Sequence, residues 1–241
     1  MEKILKGTLA SILALTMSMA TVQAGGGDAA TGEGKGLAES SGGLSFNVGY
    51  MTEYWYRGAM QNDSSINFGA DYETGNWYLG TWVADVGASS LHDPSLEVDV
   101  YAGYNFTFPM LGAPAYIGVM GYYYTDDFDQ DYEEVAFGID LGLFSIDSVI
   151  NGSWKDGNGN ASKDYGHFKI NVPLTESIGY SWQTYTGGAI HYAAHELTYS
   201  TAFAGADVGI TVGRNNDGGA GATQNSDQET GYAFLSMSYS F

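Results

Sequence analysis

From Leu44 to Phe241 hydrophobic residues recur at every second position, and no stretch sustains a helical stripe. Period-two patterning predicts strands with one apolar face. Leu44, Phe46, Val48 and Tyr50 alternate with Ser45, Asn47, Gly49 and Met51, and the pattern carries a first strand to about Tyr56. Ile66, Phe68, Ala70 and Tyr72 alternate with Asn67, Gly69 and Asp71, while Leu96, Val98, Val100, Ala102 and Tyr104 alternate with Glu97, Asp99, Tyr101 and Gly103. The same holds over 135–143, for Phe168, Ile170 and Val172, and for Val208, Ile210 and Val212. Weaker runs at 77–86, 115–125, 148–154, 178–185, 192–203 and 232–241 add six strands to these six. Because the second face is small or acidic each time, the expected fold is all-β: an antiparallel transmembrane β-barrel of about 12 strands.

Connection lengths test this expectation, since such a barrel alternates short periplasmic turns with longer outer loops. Residues 74–76, 145–147, 173–176 and 204–205 read as tight turns, with 107–114 somewhat longer. Between them lie 59–65, 87–95, 126–131, 155–166, 186–191 and 215–229, rich in Gly, Asn, Asp and Ser. An even strand count places both termini in the periplasm. Aromatic residues fall where interfacial girdles are expected: Tyr54, Trp55, Tyr56, Tyr122, Tyr123, Tyr124, Trp154, Tyr185 and Tyr192 at outer ends, and Trp77, Tyr104, Phe106, Phe144, Phe203, Tyr239 and Phe241 at periplasmic ends. Alternation alone also fits a soluble β-sandwich; loop asymmetry and two girdles favour the membrane.

Ahead of the strands, Lys3 and Lys6, a mostly small and apolar run over 7–20 and the triplet Val22-Gln23-Ala24 read as a signal peptide over 1–24, cleaved after Ala24. Residues 25–43 are nearly all Gly, Ala, Ser, Thr, Glu and Asp and read as a flexible periplasmic lead-in, so the barrel occupies 44–241. The expected location is the outer membrane of a Gram-negative cell, in contact with its lipids. With 8 Lys+Arg against 28 Asp+Glu, a formal charge of −20, the chain would repel a phosphate backbone, and nucleic acid is not an expected partner. The lack of cysteine excludes thiol catalysis, zinc ribbons and disulfide scaffolds.

The segments 48–61, 68–72, 75–82 and 97–104 carry Tyr54-x-x-Arg57-Gly58, Gly80-Thr81-Trp82 and Glu97-x-Asp99-x-Tyr101-x-Gly103-Tyr104 in that order. In these marks the chain resembles the TorF family of porin-like proteins, also called Gcw_chp proteins, most strongly from Asn47 to Tyr124. The resemblance implies a proteobacterial outer-membrane barrel of uncharacterised transport role, and it brings neither a substrate nor catalytic residues. The last strand, with Ala233, Leu235, Met237, Tyr239 and Phe241 on one face, resembles the terminal signature that the barrel-assembly machinery reads.

Function is then expected in the lumen. By alternation the inward acids are Glu53, Asp71, Glu73, Glu97, Asp99, Glu134, Asp140, Glu196 and Asp207, opposed by Arg57 and Lys169. Nine acids against two bases predict a cation-preferring diffusion channel for small solutes. Arg57, near the outer mouth, is a candidate to clamp Glu53 in a structural ion pair or to touch an anionic solute group. The alternative is a plugged structural or receptor barrel binding a ligand or divalent ions at its acidic outer loops, with the lead-in as a candidate plug. Asp127-x-Asp129-x-Asp131 resembles the start of a calcium loop, but Tyr132 and Gly138 stand where that loop needs Gly and Glu, leaving only weak metal candidates. His191 and His195 would lie about 13 Å apart along a strand, too far to chelate one zinc. His92, His167, His191 and His195 offer no Ser/His/Asp constellation, so neither an enzyme nor a cofactor is expected.

Overall fold

The computed structural model describes residues 43–87, 95–126, 128–155, 164–186, 193–215 and 230–241. The signal peptide, the lead-in up to residue 42, Asp127 and His191 lie outside them. The strands are β1 (Gly43–Met51), β2 (Tyr54–Tyr56), β3 (Ala59–Asn62), β4 (Ser65–Thr74), β5 (Trp77–Val86), β6 (Ser95–Phe108), β7 (Ala113–Tyr124), β8 (Asp131–Asp140), β9 (Ser145–Lys155), β10 (Tyr165–Pro173), β11 (Ile178–Thr186), β12 (Ala193–Phe203), β13 (Ala206–Asn215) and β14 (Thr230–Ser240). Twelve of them close into one antiparallel barrel in the order β1-β14-β13-β12-β11-β10-β9-β8-β7-β6-β5-β4, and β2 and β3 form a separate hairpin. Closure runs to the end of the chain, where Phe46 and Phe241 exchange backbone hydrogen bonds of 2.9 and 3.0 Å.

Alternation sorts the side chains as expected, but with water and oil reversed from a soluble protein. Ile66 is 65% exposed and Val212 57%, while Asp71, Glu97, Asp99, Glu134, Lys169, Gln183 and Thr211 are buried. An apolar exterior around a polar interior is the arrangement a bilayer demands, and it is the inverse of a β-sandwich in water. At one end of the barrel the connections are 75–76, 109–112, 141–144, 174–177 and 204–205; at the other they are 52–64, 87–94, 125–130, 156–164, 187–192 and 216–229. This is the expected division into tight turns and long loops.

Two boundaries differ from the sequence expectation. The first barrel strand stops at Met51 rather than Tyr56, because residues 52–64 leave the wall and return as the β2–β3 hairpin. The turn expected at 145–147 lies at 141–144, where Gly142 takes a left-handed φ of 84°. There the Asp140 carboxylate accepts the Gly142 N–H at 2.7 Å, a local bond that ends the strand. Ser145, Ile146 and Asp147 consequently belong to β9, and Asp147 is buried in the lumen.

Candidate functional site

The lumen wall is built from tyrosines laid against glycines. Tyr78 stands directly across from Gly103, Tyr101 from Gly80, Tyr116 from Gly138, Tyr165 from Gly152 and Tyr232 from Gly213. A Cβ at Gly138 would lie 2.0 Å from the Tyr116 ring, and one at Gly213 would lie 2.2 Å from the Tyr232 ring. Glycine at these sites lets a large ring lie flat on the neighbouring strand instead of projecting across the barrel. The hydroxyls then reach carboxylates: Tyr116 donates to Asp147 at 2.8 Å, Tyr165 to Glu134 at 2.6 Å, Tyr232 to Glu196 at 2.7 Å and Tyr101 to Asp71 at 2.5 Å. Lys169 is buried on the wall directly opposite Asp147 in register.

Across this wall lies the hairpin. Tyr56 and Ala59 pair as the last residues before a two-residue turn, Arg57-Gly58, with φ of 49° and 81°. Positive φ at both central positions defines the type I′ turn that suits a twisted hairpin, although a side-chain-bearing residue is disfavoured at the first of them. Arg57 is held there by a buried bidentate ion pair, its two terminal nitrogens donating to Glu134 at 2.7 and 2.9 Å. Burial opposes the guanidinium charge, but the Glu134 carboxylate together with Tyr56, Tyr122 and Tyr185 more than offsets this and holds the pKa above its ordinary value. Tyr122 also donates to Glu134, at 3.1 Å. The guanidinium carbon lies 4.7 Å from the Tyr56 ring centroid and 5.8 Å from that of Tyr185.

Further contacts pin the hairpin to other strands. Tyr54, wholly buried, donates to Glu97 at 3.1 Å, and its burial beside that carboxylate pushes the phenol well above its usual pKa, so it remains a donor. Trp55 stacks on Tyr232 with centroids 4.0 Å apart and planes 9° from parallel. The Asn215 side-chain amide donates to the Gly58 carbonyl at 2.7 Å, and that of Asn62 donates to the Asp85 carbonyl at 3.0 Å. Glu134 on β8 and Asn215 on β13 stand almost opposite one another in the ring of strands, so the turn bridges the lumen. Tyr54, Trp82, Tyr101, Met120 and Tyr122 pack together on the side of β5 to β7. A cavity of about 60 Å³ opens beside the ion pair, lined by Gln61, Tyr124, Asp129, Tyr132, Glu134 and Tyr185 among others.

The expected lumen acids divide accordingly. Asp71, Glu97, Asp99 and Glu134 are buried inside, and Glu196, Asp207, Glu73 and Glu53 are partly exposed. Asp140 is exposed in its turn and does not line the lumen. Arg57 does form a structural ion pair, but with Glu134; Glu53 instead accepts the Trp55 indole N–H at 2.7 Å. Tyr54, Trp55 and Tyr56 belong to the hairpin and not to the outer girdle. Asp147 is a buried lumen acid that the sequence does not mark, because Ser145-Ile146-Asp147 has the composition of a turn. Asp129 accepts from the Gln130 N–H and the Tyr132 hydroxyl at 2.8 and 3.1 Å, Asp131 is exposed, and among the described residues no three His, Asp or Glu side chains are grouped to hold a metal. His195 faces outward with its Nδ1 2.7 Å from the Tyr180 hydroxyl.

Comparison with known proteins places these features in a family. The model of the family described as "Bacterial protein of unknown function (Gcw_chp)" matches residues 35–223. No curated protein matches the chain. Among solved structures, a KdgM porin superposes with a TM-score of 0.50 at 13% identity, covering 82% of this chain and 99% of that one. The outer membrane protein OpdK of Pseudomonas aeruginosa superposes with a TM-score of 0.38 at 13% identity, covering 83% of this chain and 66% of that one. At such identities the first likeness speaks for the barrel fold alone.

Proposed function

The chain belongs to the Gcw_chp family, and we propose that it is an outer-membrane, porin-like channel for small solutes whose lumen is narrowed by the hairpin of residues 52–64. The observation that carries this reading is the closed barrel of twelve strands with an apolar exterior and a polar, hydrogen-bonded interior. A barrel of this size lies between the eight strands that side chains fill and the sixteen that leave an open aqueous channel, so one folded-in loop decides its bore.

The channel prefers cations. Asp71, Asp147 and Glu196 face the lumen against Lys169, beside the Arg57–Glu134 pair, which is neutral overall. Such a confined excess of carboxylates raises cation occupancy and repels anions. The hairpin favours a second reading, a plugged barrel that opens only on release of that element. Conductance of the refolded protein in a planar bilayer under a salt gradient tests both. Discrete channels with a cation-directed reversal potential, reduced by Asp71→Asn and Asp147→Asn, support the open acidic pore. Silence from a folded barrel rejects it, and silence relieved by deleting 53–62 selects the plugged reading.

A further inference from the structure

The carboxylate side of the pocket that receives Arg57 is built by barrel strands, while the hairpin adds the Tyr56 ring at 4.7 Å. Glu134 stands on β8, Tyr122 on β7, Tyr165 on β10 and Tyr185 on β11. Tyr122 and Tyr165 donate to the two different oxygens of Glu134, at 3.1 and 2.6 Å, and so fix the plane of the carboxylate in which a planar, forked donor docks. Tyr185 supplies a ring face beside it. The neighbouring cavity leads to the same carboxylate and brings Asp129 as a second negative group. The occupant, meanwhile, is a residue held in a left-handed backbone conformation that disfavours any side chain larger than hydrogen.

We propose that this pocket is a binding site for the guanidinium group of a small cationic solute, that Arg57 occupies it as a tethered stand-in, and that a solute reaching Glu134 displaces Arg57 and frees the hairpin. The consequence for permeation rests on the channel reading above; the binding does not. Ethylguanidine is the probe, titrated calorimetrically into the folded full-length barrel in detergent. The variants are Arg57→Gly, which suits the turn, and the double variant Arg57→Gly/Glu134→Gln. Folding of each is checked by its heat-dependent gel mobility.

The tethered competitor should weaken apparent affinity in the wild type, by about tenfold if the pocket is free a tenth of the time. Arg57→Gly should therefore bind ethylguanidine about tenfold more tightly than the wild type, and the double variant should not bind it. Absence of binding to Arg57→Gly, equal binding of ethylammonium, or binding that survives Glu134→Gln overturns the site. If the site binds but wild-type conductance is unchanged at saturating ethylguanidine, displacement of the hairpin is overturned. A barrel that binds yet conducts under no condition removes the channel reading and leaves the site intact.

Discussion

Replacing Glu134 by Gln should undock the hairpin. The wild-type pair has both side chains almost fully buried, at 1% and 2% exposure, with two hydrogen bonds between them. Removing one member of such a pair strands a buried charge, at a cost of about 3–5 kcal/mol. Since about 1.4 kcal/mol is tenfold, the docked-to-undocked ratio should fall by about two to three and a half decades. Arg57→Gly should be milder, because Glu134 keeps its Tyr122 and Tyr165 donors and the left-handed turn gains a residue that accepts it. The turn supplies its own assay: trypsin cuts after arginine, and Arg57-Gly58 is protected only while buried. With dilute protease, cleavage tracks the open population, so clipping at Arg57, followed by mass spectrometry on folded barrel, should accelerate in Glu134→Gln by about tenfold, the ceiling for a hairpin already open a tenth of the time. Equal cleavage rates in variant and wild type would refute the claim that this ion pair holds the hairpin.

Other substitutions probe the wall. Gly138→Ala places a methyl group 2.0 Å from the Tyr116 ring and 2.7 Å from an Asp147 oxygen, and should cost about 1–3 kcal/mol, read as a lower temperature for the gel-mobility shift. Val119→Lys puts a charge on the exposed outer face and should cost up to about 2–4 kcal/mol if the site lies at the bilayer midplane, measured by refolding into lipid vesicles under urea; an unchanged midpoint would argue against a lipid-facing surface. Trp55→Ala removes the stack on Tyr232, worth about 0.5–1.5 kcal/mol, and should raise trypsin cleavage at Arg57 less than Glu134→Gln does.

The barrel frame was legible because period-two patterning and loop-length asymmetry are local properties of the chain, and they decide which face meets lipid. The lumen was legible only in part. Tyr101 shares parity with Glu97 and Asp99, so its inward direction follows from one strand. That Tyr116, Tyr165 and Tyr232 lie over Gly138, Gly152 and Gly213 depends on cross-strand register, which no single strand encodes. The hairpin escaped for a different reason: its aromatics resemble an interfacial girdle, and a polar lumen satisfies polar residues as water does, so burial leaves no apolar signature. Asp147 is hidden at a strand boundary, because Ser145-Ile146-Asp147 resembles a turn as well as Asp140-Leu141-Gly142 does.

The turn residue itself carries the remaining argument. A type I′ hairpin standing alone would favour Asn or Gly at position 57, and arginine there costs about 1–2 kcal/mol of backbone strain. Only two short strands support that turn, and an isolated two-stranded hairpin is marginal in water. The β2–β3 element is thus held from outside, by Glu134, Glu97, Tyr232 and Asn215, more than it holds itself. Release of the Arg57 anchor therefore removes much of the reason for the hairpin to remain folded, while the barrel ladder, closed through β1 and β14, stays complete. An element with an exchangeable ion pair among its few anchors can respond to a competing cation without disturbing the wall that binds it.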